Sequence, residues 1–168
     1  MVESGGTADT RNIYLACRKQ AAESNERLNS REIAADLLGI SASTLAKHEL
    51  GVTKCVPVDT VVMMADLYKA PELRNWYCKN ECPIGEQRPM ATRIGSIERI
   101  TVKLLADMDG DRISRMKADL LDIARDGKVT PDEAGKMQKV MELLDELTET
   151  ISELRMYAEK SRRSETDG

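Results

Sequence analysis

Phenylalanine is absent from this chain, and one tryptophan and four tyrosines bring the aromatic share to only 3%. Core volume must therefore come from Leu, Ile, Val, Ala and nine methionines, a set that suits helices packed on helices. Histidine occurs once, as His48, so no His-based catalytic pair exists. A glycine-rich phosphate loop, G-x-S-x-G and H-E-x-x-H are all missing. The chain is accordingly read as no enzyme and as carrying no cofactor. No apolar run approaches the 18 or more residues of a membrane span, and residues 1–10 lack the apolar core of a signal peptide. A cytoplasmic protein without a membrane partner is expected.

Four cysteines stand at 17, 55, 78 and 82, and none forms a C-x-x-C. Cys78 and Cys82 make a C-x3-C, which admits zinc only if Cys17, Cys55 or His48 joins them in space. Buried thiols acting as small apolar residues are the plainer reading. Asp107, Asp109 and Asp111 resemble a calcium loop in part. Ala118, however, occupies the place of the bidentate Glu, so a solvated acidic turn is expected. Net charge is −4, with charged residues at 32%. Residues 1–88 hold 11 Lys and Arg against 12 Asp and Glu, and residues 89–168 hold 14 against 17. A near-neutral first half is a mild argument against nucleic acid, because phosphate contacts need cations.

What is present is a strong local pattern from Ser30 to Gly51, SREIAADLLGISASTLAKHELG. Ser30 caps a helix whose apolar residues Ile33, Ala34, Leu37 and Leu38 follow at helical spacing. Gly39 stands where a left-handed stop is wanted. Ser41 then caps a second helix carrying Ala42, Leu45 and Ala46. So short a connection forces a steep crossing, as in a helix-turn-helix. Gly39-Ile40-Ser41, Ser43-Thr44-Leu45 and Glu49-Leu50-Gly51, with Ala35 four residues ahead of Gly39, resemble the signature of the lambda-repressor-like, or Xre-type, helix-turn-helix regulators. Val56-Pro57, Val61, Ala65 and Leu67-Tyr68 are similar to that family's next helix. The resemblance covers residues 10–80. It departs at Arg31, where the family has Gln, and at His48, where it has a packing residue. His48 is read as a half-buried bridge between helices or as a phosphate or base contact.

The expected architecture is all-α: a five-helix lambda-repressor-like DNA-binding domain, then a long helical hairpin or coiled coil. Its parts are a tail at 1–10, the domain at 11–82, a linker at 83–92, a helical dimerisation region at 93–163 and a tail at 164–168. Helices are expected at Arg11–Ala22, at Pro57–Tyr68, apolar most of the way round, and at Pro71–Lys79, with a polar loop at Ser24–Asn29. Residues 94–123 keep a helical period across Gly110, so one bent helix and two helices both remain open. Asp126 to Val129 reads as a turn. Thr130-Pro131-Asp132-Glu133 reads as a helix start with a capping box. The last helix carries two seven-residue rows, Met137/Leu144/Ile151/Ala158 and Val140/Leu147/Leu154. Met137, Val140, Leu144, Leu147, Ile151 and Leu154 are thus the expected dimerisation residues.

The resemblance implies a sequence-specific transcriptional regulator that binds double-stranded DNA as a homodimer. Its second motif helix, Ser41–Leu50, would enter the major groove. By that reading Ser41, Ala42, Ser43, Thr44 and Lys47 face the DNA, with Lys47 placed for a guanine edge. Arg31 and Lys54 are placed for phosphates. The alternative is the same fold used as a protein-interaction module, an antirepressor or adaptor, without DNA contact.

Overall fold

The computed structural model describes residues 13–125 and 127–165; the expected tail at 1–10, the first two residues of the expected helix Arg11–Ala22, the turn residue Asp126 and residues 166–168 of the expected tail at 164–168 lie outside them. Among the described residues the chain is all-helical, with eight α-helices, one 3-10 turn and no strand. No helix there is long and apolar enough to cross a membrane. The chain divides into two units. The first is residues 1–86 with 159–168, and the second is residues 87–158.

In the first unit, α1 (Ile13–Ala22), α2 (Arg31–Leu37), α3 (Ala42–Glu49), α4 (Val58–Leu67) and α5 (Glu72–Asn80) enclose one core. Its centre is Leu28, Ala34, Leu38, Leu45, Val61, Met64 and Leu73, all nearly inaccessible to water. Tyr14 meets Trp76 edge to face, with ring centres 6.0 Å apart. The small residues Ala34 and Ala35 let α2 lie close to α3. The segment expected as a polar loop contains a 3-10 turn at Glu26–Asn29. The Asn25 side chain caps it, and Leu28 drives it into the core. α4 is not buried all round. Val61, Met64 and Ala65 face inward, while Val58, Val62 and Met63 face water. The sequence showed an apolar helix, and only one stripe of it is used.

The last turns of α8 (Ala134–Glu165) belong to this first unit. Glu159 takes Arg74 at 2.5 Å, Lys160 reaches Glu72 at 3.2 Å and Arg163 reaches Asp66 at 2.8 Å.

The second unit holds α6 (Ile97–Asp107), α7 (Gly110–Ile123) and α8 as far as Ala158. Residues 97–123 are thus two helices, broken at Met108 and Asp109. The Asp109 carboxylate accepts the amides of Asp111 and Arg112, both at 3.1 Å, and so starts α7. The acidic cluster is therefore no solvated turn. Asp109 is a helix cap, and Asp107 is buried, accepting the Thr150 hydroxyl at 2.7 Å. α8 begins at Ala134, later than the Thr130 cap implies, although Glu133 does reach back to the Thr130 amide at 3.0 Å. Residues 131–133 form a turn ahead of it.

The side of α8 that packs within this unit carries Val140, Leu143, Leu147, Thr150, Glu153 and Met156. Glu153 accepts the Gly95 amide at 2.7 Å, and Glu146 takes Arg112 at 2.6 Å. The two expected rows are thereby separated. Val140 is buried, and Leu147 and Leu154 are half-buried, whereas Leu144, Ile151 and Ala158 are exposed. Leu143 and Thr150, one residue to the side of Leu144 and Ile151, are buried within the unit.

Candidate nucleic-acid interface

α2 and α3 are joined by Leu38–Ser41 and are built by the same devices. Ser30 Oγ accepts the Ile33 amide at 3.2 Å, and Ser41 Oγ accepts the Thr44 amide at 3.1 Å. Each helix ends on a glycine with positive φ, Gly39 at 65° and Gly51 at 67°. The Ile40 amide then bonds the Ala35 carbonyl, and the Val52 amide bonds that of Lys47, both at 3.0 Å. These bonds fix both ends of α3.

Three residues point α3 inward. Leu45 enters the core, and His48 and Glu49 are buried beside it. Glu49 is fully enclosed and is shared by two arginines. Arg18 of α1 grips it through Nε at 2.5 Å and Nη2 at 3.0 Å, and Arg31 of α2 donates Nε at 2.8 Å. Arg18 also donates Nη1 to the carbonyls of Leu28 and Asn29. A buried charge is tolerable only when paired and hydrogen-bonded, and here every polar edge of the pair is used. Hydrogen bonding to Glu49 holds the Arg18 guanidinium above its ordinary range, against the opposing effect of burial. Two cations on one carboxylate leave one positive charge. It emerges at Arg31, whose side chain is about a third exposed, since Arg18 is 2% exposed.

Of the residues expected to face DNA, Ser41, Ser43, Thr44 and Lys47 fall on the other side, whereas Ala42 packs against the core. Ser41, Ser43 and Lys47 are exposed, and Ala42 and Thr44 are half-buried. Ser41 Oγ lies 2.9 Å from Ser43 Oγ and 2.8 Å from Thr44 Oγ1, so the hydroxyls form one cluster over the start of α3. No carboxylate lies on this side of α3. Lys54 is exposed in the bend after α3. His48 is turned into the protein, with Nδ1 2.9 Å from Thr53 Oγ1. Burial pushes its pKa down, with a smaller opposing pull from Glu81, and favours the neutral ring.

Arg18 and Glu49 were missed as a pair by the sequence reading. Arg18 lies on the buried side of α1 with Tyr14, Cys17 and Ala21, and that placement was the available signal. Glu81 was missed as well. It accepts the Tyr14 hydroxyl at 2.8 Å and the Val56 amide at 3.2 Å, which pins the segment after α3.

Cys78 and Cys82 are half-buried, and among the described residues no three or more His, Cys, Asp or Glu gather as a metal site. Gly85 lies against Cys78, where a Cβ would come within 2.2 Å of the Cys78 carbonyl oxygen. Cys17 is buried in the core and its thiol is pushed up to about 12, chiefly by burial. Cys55 is exposed, 3.5 Å from the Tyr77 hydroxyl. No protein-family model, curated protein or solved structure matches this chain.

Proposed function

We propose that the first unit is a lambda-repressor-like helix-turn-helix domain and that the chain is a sequence-specific DNA-binding transcriptional regulator working as a homodimer. The observation that carries this reading is the outward side of α3. It offers Ser41, Ser43, Thr44 and Lys47, with no carboxylate, because the helix's one acid, Glu49, is buried and doubly neutralised. α3 enters the major groove, where Lys47 reads a guanine edge and the Thr44 methyl meets a thymine methyl. Arg31 delivers its surplus charge to a phosphate, and Lys54 takes a second. Near-neutral overall charge then matters less than where the charge sits.

Electrophoretic mobility shift against a selected site and random DNA tests this. Lys47→Ala is expected to weaken the specific complex by about 1–3 kcal/mol and to relax base choice. Arg31→Ala is expected to weaken all sequences alike and to flatten the salt dependence. If neither the wild-type chain nor a selected site gives a shift at low salt, the reading fails. One observation favours the protein-interaction alternative. Leu50 and Val52, beside α3, are exposed apolar residues.

A further inference from the structure

The second unit leaves apolar surface uncovered. Its buried apolar residues are Ala91, Ile100, Ile123, Val140, Leu143 and Met156, while ten large apolar side chains are exposed. On α6 and α7 the exposed apolar side chains form only short groups. Val102 on α6 has Glu98 one turn ahead of it, and Leu121 on α7 has Lys117 one turn ahead of it. α8 differs. Met137, Met141, Leu144, Thr148, Ile151, Arg155 and Ala158 recur at alternating spacings of four and three, a continuous ridge. Met141, Leu144 and Ile151 are 45%, 38% and 41% exposed. Thr148 spends its hydroxyl on the Leu144 carbonyl at 2.7 Å, so it brings no unmet polar group to the ridge.

The ridge is also ordered by charge. Its first half is flanked by exposed Asp145, a place that Ser152 takes seven residues on, and its second half carries one cation, exposed Arg155. A parallel copy would set Arg155 against itself. An antiparallel copy turns the cationic end onto the acidic end, twice over, and sets Leu144 against Ile151. The ridge is thus complementary to its own reverse under a two-fold axis near Thr148.

We propose that the ridge Met137–Ala158 of α8 docks antiparallel on the same ridge of a second copy of this chain. Arg155 then lies within reach of Asp145 of the partner subunit. The inference rests on the homodimer part of the functional reading and not on DNA binding. Val140, Leu147 and Leu154 take no direct part, being used inside the unit.

Light scattering of the full chain at micromolar concentration is expected to give twice the 18.7 kDa chain mass. Leu144→Glu combined with Ile151→Glu is expected to give the monomer mass with unchanged helicity. Should that pair disturb folding, Thr148→Arg removes no apolar residue and is expected to weaken association by about tenfold or more, by placing an unpaired charge at the axis. Val102→Glu with Leu105→Glu is expected to remain dimeric. Direction is read by disulfide trapping in a chain carrying Cys55→Ser, Cys78→Ser and Cys82→Ser. Mixing Met141→Cys with Arg155→Cys chains is expected to give the mixed disulfide, and Arg155→Cys alone none. A monomeric wild type, a dimer that survives the ridge substitutions, or self-crosslinking through Arg155→Cys overturns the proposal. A monomer that still shifts DNA overturns the dimer and leaves the DNA reading standing.

Discussion

The first unit gathers 16 buried apolar residues into one cluster and exposes seven large ones; the second buries six and exposes ten. Both are helical, yet only the first closes a core of its own. Short helices crossing steeply surround a centre from several sides. Long helices lying along one another cover a stripe each and leave the other sides wet. The contrast extends to polar groups. The first unit buries a charge pair in which every Arg18 nitrogen is used, and the second buries Asp107, Thr150 and Glu153 along its helix contacts. A domain can thus be finished by its own fold or left to be finished by association.

The sharpest way to break this comparison is Glu49→Gln. It leaves Arg18 buried without its counter-charge and is expected to cost about 3–5 kcal/mol, enough to unfold much of the first unit. Trp76, the chain's one tryptophan, lies in that unit and reports it by fluorescence in urea, while far-ultraviolet circular dichroism follows all helices. A variant as stable as wild type by Trp76 fluorescence contradicts the role given to Glu49. Next in size are matched truncations. Leu45→Ala in the closed core is expected to cost about 3–5 kcal/mol, and Leu143→Ala in the open unit nearer about 2 kcal/mol, because an open site relaxes around the gap. Equal losses would erase the difference between the units.

The smallest effect is acid. Neutral His48 is favoured in the folded state, so unfolded chains take up a proton first as pH falls below the ordinary imidazole value of 6.5. That contribution is full above 6.5 and is lost as pH falls through the lowered folded value. The urea midpoint followed by Trp76 is expected to drop from pH 7 to pH 5 by more in wild type than in His48→Gln. Equal drops would remove His48 as the cause.

The stretch from Ser30 to Gly51 was legible because its signals are local. Serine caps, glycine stops and the apolar period each act within one turn of helix. The 3-10 turn was not legible, since Leu28 alone among polar neighbours gives no period. The break between α6 and α7 was hidden because the period survives it, and only the Asp109 cap decides. On α8, Leu143 and Leu144 stand side by side, so the sequence admits either row as the inner one. Thr150 and Glu153 decide between them, and they read as surface residues until Asp107 and the Gly95 amide are brought to them from afar. The same holds for Arg18 and Glu49. Charges count as exterior in any pattern, and their partner lies 31 positions away. Ser41, Ser43, Thr44 and Lys47 were legible as outward residues of α3, but the packing of Ala42 against the core and the engagement of Arg31 by Glu49 were not.

The two left-handed glycines that bracket α3 also set a limit on information. They hold the helix to eight residues, about 12 Å at 1.5 Å per residue. Laid along DNA, that length spans about three to four base pairs at 3.4 Å each. A word of that size recurs by chance roughly once in 60 to 250 positions, far too often to mark an address in a genome of millions. Under the DNA-binding reading, lengthening the helix is closed to this protein, because each end is tied by its own carbonyl bonds. Vocabulary can grow only by reading two words at once, with the distance between them serving as a third.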